Sequence, residues 1–131
     1  MGFPKYCITF KSLNLSNMSK LFAITIPILP GKEADWEKWH TELRTTHKSE
    51  FEASRKKLNA RERAFLQHTP MGDLVIVTLE GDDPAGAFAQ FAAAKDAFTD
   101  WFVAGVKNVH GIDLTQPPAG PLPELVIDSM P

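Results

Sequence analysis

Leu21-Phe22-Ala23-Ile24-Thr25-Ile26-Pro27-Ile28-Leu29 is apolar at nearly every position. Side chains alternate along a strand. As a strand, this stretch sends Phe22, Ile24, Ile26 and Ile28 to one face and Leu21, Ala23 and Leu29 to the other. A second stretch of the same kind, Leu74–Leu79, opposes Leu74 and Ile76 to Val75, Val77 and Leu79. A sheet built from both needs cover on both faces. The chain offers two helical stretches, enough for one face. A second copy of the same sheet is the simplest cover for the other, so a homodimer is expected.

Working outward, Pro30-Gly31 ends the first strand as a turn, and Pro27 places its last residues on an edge or at a bulge. A long helix is expected over Lys32–Leu58. Its apolar stripe of Trp36, Trp39, His40, Leu43, His47, Phe51 and Leu58 is spaced mostly by three and four residues, and Asn59 stands as its cap. Arg55-Lys56-Lys57 reads as a solvated run favoured by the helix dipole. Phe65–Thr69 makes a second strand, closed onto Leu74–Glu80 by the hairpin loop Pro70-Met71-Gly72-Asp73. Asp83-Pro84 starts a second helix, Ala85 to about Val109, whose register falters at Lys95-Asp96. A break capped by Asp96 is expected there, and Gly111 stops the helix. Ile112–Leu114 reads as a fourth strand. The proline-rich tail from Gln116 carries Leu125-Val126-Ile127, a late strand suited to packing on a partner subunit.

The order strand, helix, strand, strand, helix, strand gives an α+β, ferredoxin-like βαββαβ sandwich over residues 18–115. Its two-sided sheet points to a dimeric α+β barrel formed by sheet-to-sheet packing. Residues 1–17 have mixed polarity and read as a poorly ordered extension ahead of a translation start at Met18. Residues 116–131 form the tail.

At 131 residues and a net charge of −2, the chain has the size of one domain and no basic surface for nucleic acid. Its one cysteine, Cys7, permits no internal disulfide and fits a reducing cytoplasm. No apolar run reaches the roughly 18 residues of a membrane span. Lys20–Leu29 is followed by Pro30-Gly31-Lys32-Glu33 and not by a cleavage site of small residues.

Four histidines are the chemical candidates. His40 and His47 share the apolar helical stripe, but seven residues of helix separate them by about 10.5 Å, too far for a shared metal. Glu37/His40 and His47/Glu50 have ligand spacing, yet a carboxylate-bridged site needs such a pair from two helices. No metal is expected. His68 lies on the second strand, on the face of Leu66, and could approach His40 or His47 if that face looks toward the helices. Converging neutral imidazoles would supply a general base. His110 ends the second helix beside Gly111 and near Asp113, a setting that favours its charged form and a capping role. Trp101 and Phe102 are adjacent and must face different ways, so one meets a cavity, a partner or the break. Phosphate-binding glycine loops, Cys-x-x-Cys and the nucleophile elbow are all absent, and no cofactor is implied.

Several stretches together resemble a known group. They are Arg61–Gln67, Pro70–Val77, Glu80–Asp83, Phe98-Thr99-Asp100-Trp101-Phe102 and Val109–Leu114. The likeness is to an uncharacterised bacterial family of the dimeric α+β barrel superfamily, related to antibiotic-biosynthesis monooxygenase-like domains. It covers roughly Ser19 to Leu125. It implies the barrel fold but no single activity, because neighbours in that superfamily include oxygenases, isomerases, haem-degrading enzymes and binding proteins. Relatives tend to carry a proline before Phe-x-x-Trp-Phe where this chain has Ala97, which implies a softer helix break here.

The resulting expectation is a cytoplasmic homodimer binding a small apolar or aromatic molecule between sheet and helices. Trp39, His40, Leu43, His47, His68, Phe98 and Trp101 would line the pocket, with a histidine meeting the ligand's one polar group. The alternatives are a cofactor-independent monooxygenase or isomerase with His47 or His68 as base, and a non-catalytic dimeric scaffold with inert histidines.

Overall fold

The computed structural model describes residues 20–130. The extension over residues 1–17, the start at Met18 and Cys7 lie outside the described residues. The chain is α+β, with seven elements in order. They are β1 (Lys20–Pro27), α1 (Glu33–Arg44), α2 (Lys48–Lys57), β2 (Ala60–Thr69), β3 (Gly72–Gly81), α3 (Pro84–Ala93) and α4 (Ala97–His110). The three strands form one antiparallel sheet in the order β1-β3-β2. β3 therefore lies between two strands that run parallel to each other, which is a split βαβ unit. The arrangement is compatible with a ferredoxin-like sheet lacking its fourth strand.

Register decides which residues meet. Phe22, Ile24 and Ile26 of β1 stand opposite Leu79, Val77 and Val75 of β3, which in turn oppose Glu62, Ala64 and Leu66 of β2. Every strand residue in the hydrophobic core or the cavity below comes from this face, with Val75 and Leu79 buried at its centre. The helices cover it with Trp36, Trp39, Leu43, Phe91, Phe98, Phe102, Val106 and Val109. The other face carries Leu21, Ala23, Leu74, Ile76 and Phe65. Leu21 and Phe65 are 52% and 54% exposed there.

The expected first helix is two helices. Thr45 and Thr46 are poor helix formers, and the Thr45 hydroxyl donates to the Thr41 carbonyl at 2.7 Å, which competes with the backbone ladder. His47 then heads α2. Leu58 is the C-cap of α2 and Asn59 follows it in the left-handed conformation at φ 54°, its side chain donating to Asp82 at 2.8 Å. The second break falls where expected and is complete rather than soft. Asp96 caps α4 by accepting from the Thr99 N–H at 2.7 Å, so a proline at position 97 is not required. Asp83 caps α3 in the same way through the Gly86 N–H at 3.1 Å.

Two expected strands are absent among the described residues. At Ile112–Leu114, Asp113 accepts from the Thr115 N–H at 2.9 Å and turns the chain before a ladder can form. At Leu125–Ile127 the backbone is irregular, following Pro117, Pro118, Pro121 and Pro123. Proline has no N–H to give a ladder. Conversely, β2 begins five residues earlier than expected, at Ala60. Its Arg61-Glu62-Arg63 run looks unlike a strand, but Arg63 pairs with Glu80 at 3.0 Å on one face and Glu62 with Arg55 on the other.

Candidate functional site

Between the sheet and the helices lies a cavity of about 60 Å³. β1 and β3 supply Ile24, Ile26, Val75, Val77 and Leu79 to its lining, and the helices supply Trp39, Leu43, Phe91, Phe102 and Val106. Only four charged or imidazole groups interrupt this hydrocarbon wall: His40, His110, Arg55 and Glu62.

His40 stacks on the Trp36 ring with centroids 4.0 Å apart and meets the edge of Trp39 at 5.0 Å. Burial is the largest of the effects that push its pKa down to about 4, with the Arg44 charge and His110 adding to it. His110 lies at the last turn of α4, and its Nδ1 is 2.9 Å from the Pro27 carbonyl. A carbonyl only accepts, so Nδ1 carries a proton, which leaves Nε2 an acceptor when the ring is neutral. This overturns the expected charged, capping His110. Burial lowers its pKa and outweighs the Pro27 bond that opposes it, while Asp113 turns instead to Thr115. Both histidines thus present neutral rings to the cavity.

At the other polar position, Arg55 is only 7% exposed, contrary to the solvated run read from the sequence. Its Nε donates to Glu62 Oε1 at 2.7 Å and Nη1 to Ser54 Oγ at 2.9 Å. Its guanidinium carbon lies 4.8, 4.1 and 4.8 Å from the ring centres of Phe51, Phe91 and Phe102. The sequence carried a signal for this, since Arg55 falls four residues after Phe51 on the same helical stripe. Glu62 likewise shares strand parity with Ala64 and Leu66.

The expected site residues divide into three groups. Trp39, His40 and Leu43 line the cavity. His47, Phe98 and Trp101 form a neighbouring aromatic cluster, with His47 4.0 Å from Trp101 and 6.0 Å from Phe98 between ring centres. His47 Nδ1 donates to Glu50 at 2.6 Å, so this pair with metal-ligand spacing is bonded to itself. Phe102 turns to the cavity while the adjacent Trp101 turns to His47, which resolves their opposed directions. His68 stands apart. Its face does look toward the helices, but it lies at the hairpin end of β2, 75% exposed, and donates to Asp73 at 2.8 Å. Neither His47 nor His68 lines the cavity.

Gly105 explains how closely α4 approaches α1. A Cβ there would collide with the Trp39 indole at Nε1, so only glycine admits the buried ring as it stands. The indole N–H has no hydrogen-bond partner among the described residues. No group of three or more metal-ligating side chains occurs among the described residues, and no helix there is long and apolar enough to cross a membrane. In comparisons with known proteins, no family model, curated protein or solved structure matches this chain.

Proposed function

We propose that this chain is a homodimeric binding protein that holds a small, largely apolar molecule with one hydrogen-bond donor in the cavity between sheet and helices. The observation that carries this reading is His110, whose Nδ1 is committed to the Pro27 carbonyl and whose ring lines a wall that is otherwise mostly hydrocarbon. A hydroxyl is the natural partner for such a group, and the surrounding side chains favour hydrocarbon on the rest of the ligand. The 60 Å³ volume is well below the ~150 Å³ of a dry cavity that takes benzene. Short aliphatic ligands therefore suit the cavity as it stands.

A catalytic reading needs a base beside the ligand. His40, its pKa held down to about 4, is a poor base at neutral pH, and His47 and His68 lie elsewhere, so binding is the better supported reading. The second copy would cover the open sheet face of Leu21, Ala23, Leu74, Ile76 and Phe65, which completes the dimeric α+β barrel and its family assignment. A cytoplasmic location accords with the single cysteine.

Two measurements test this. Titrating 1-butanol into protein with ¹⁵N-labelled histidine should shift His110 Nε2 and leave His68 unmoved; no shift at His110 refutes the binding reading. Sedimentation should give a dimer that Ile76→Asp converts to monomer, and a wild-type monomer refutes the sheet-to-sheet pairing.

A further inference from the structure

We propose that the guanidinium of Arg55 is a second binding pole of this cavity, selecting ligands that carry a neutral carbonyl oxygen in addition to the hydroxyl accepted by His110. The inference rests on the binding reading above and names the ligand class more closely.

A guanidinium has five N–H groups. Among the described residues, Glu62 and Ser54 take two of Arg55's. Three phenylalanine rings pack around the guanidinium carbon, so further acceptors must approach along the guanidinium edge. Arg55 lines the 60 Å³ cavity and also a neighbouring void of about 10 Å³, which shares Glu62, Leu79, Phe88 and Phe91 with it. The Arg55–Glu62 pair therefore stands where the two spaces adjoin. Hydrogen bonds to a charged donor are roughly twice as strong as neutral ones, and the other Arg55 N–H groups have no partner among the described residues. An acceptor arriving with a ligand would satisfy them.

Charge balance selects the kind of acceptor. Glu62 already neutralises Arg55, so a carboxylate ligand would leave one uncompensated negative charge in a hydrocarbon wall. A ketone, ester or amide oxygen adds no charge. The side chains shared by the rest of the lining, such as Leu43, Val77 and Val106, suit a hydrocarbon spacer. The ligand class is a short chain with a hydroxyl at one end and a neutral carbonyl at the other.

The test compares hydroxyacetone, 4-hydroxy-2-butanone and 5-hydroxy-2-pentanone with 1-alkanols of matched length, each titrated into the full chain and followed by NMR. The best hydroxyketone should bind about tenfold or more tightly than its matched alcohol, as expected for one hydrogen bond to a charged donor. In the Arg55→Met/Glu62→Gln double variant, which removes both charges at nearly constant shape, that ratio should fall to about one. Alcohols that bind as well as hydroxyketones to the wild type overturn the proposal and leave the cavity reading standing. Failure of both series to bind removes both. A tenfold ratio that survives in the double variant also overturns the role of Arg55.

Discussion

Acid should destabilise this protein through His40, and the size of the effect follows from its surroundings. In the unfolded chain the ring takes up a proton near pH 6.5, whereas in the folded state burial and the neighbouring Arg44 and His110 hold protonation down to about pH 4. Between those values the unfolded chain binds more protons, so stability rises with pH in that window. The contribution is fully present above pH 6.5 and is lost as the pH falls toward 4. At about 1.4 kcal/mol per unit, the loss is about 2 kcal/mol by pH 5 and about 3 kcal/mol below pH 4. That is a large part of the ~5–15 kcal/mol stability of an ordinary domain. Urea denaturation at half-unit steps from pH 7.5 to 4.5 should show this slope in the wild type. His40→Gln, which keeps a polar planar group and does not titrate, should lose most of it and retain the smaller slope due to His110. An NMR titration placing the His40 pKa near 6.5, or an unchanged slope in His40→Gln, would refute the reasoning.

Further expectations concern the packing. Arg55→Ala strands Glu62 beneath α2 and removes contacts to three rings, so it should cost about 3–5 kcal/mol in denaturant midpoints. Arg55→Met/Glu62→Leu should recover most of that loss; a single-variant cost below about 1 kcal/mol would mean the pair is solvated. Gly105→Ala gains helix propensity but drives a methyl into Trp39, and should lower the melting temperature by an amount equivalent to about 1–3 kcal/mol, with altered tryptophan fluorescence. Asp96→Ala removes the cap of α4 and should cost about 1 kcal/mol, recovered by Asp96→Ser. Equal stability of the three proteins would show that the second break is held by packing alone.

Much of this architecture was legible because it rests on local rules. The two-faced strands, the capping aspartates Asp83 and Asp96, the stop at Gly111 and the left-handed Asn59 each depend on residues within a few positions. What escaped depends on partners far along the chain. Glu62 is a strand residue only because Arg55 neutralises it from above, so the charged run that hid the start of β2 becomes explicable in three dimensions. The break at Thr45-Thr46 was masked by an apolar stripe that continues in phase on both sides of it. The candidate site was half legible: the helical stripe gave Trp39, His40 and Leu43. His110 and Arg55 were assigned by their places at helix ends, where exposure is the ordinary expectation. Strand parity put His68 on the correct face, yet parity says nothing about how far along a strand the helices reach.

The bond from His110 to the Pro27 carbonyl, with that from the Leu29 N–H to the Val109 carbonyl at 2.9 Å, also sets an order of events during synthesis. β1 is made early, but its ladder partner β3 follows about fifty residues later and the pins at its end come last. A nascent chain halted before α4 lacks both of these bonds, and the end of its first apolar segment is held only from β3, through the Ile28 N–H to the Asp73 carbonyl at 3.0 Å. Contacts of such long sequence separation form slowly and leave edges open to association in the meantime. Release of a chain cut after Thr115 should therefore yield folded protein, whereas one cut at Gly105 should associate with chaperones or aggregate as it leaves the ribosome.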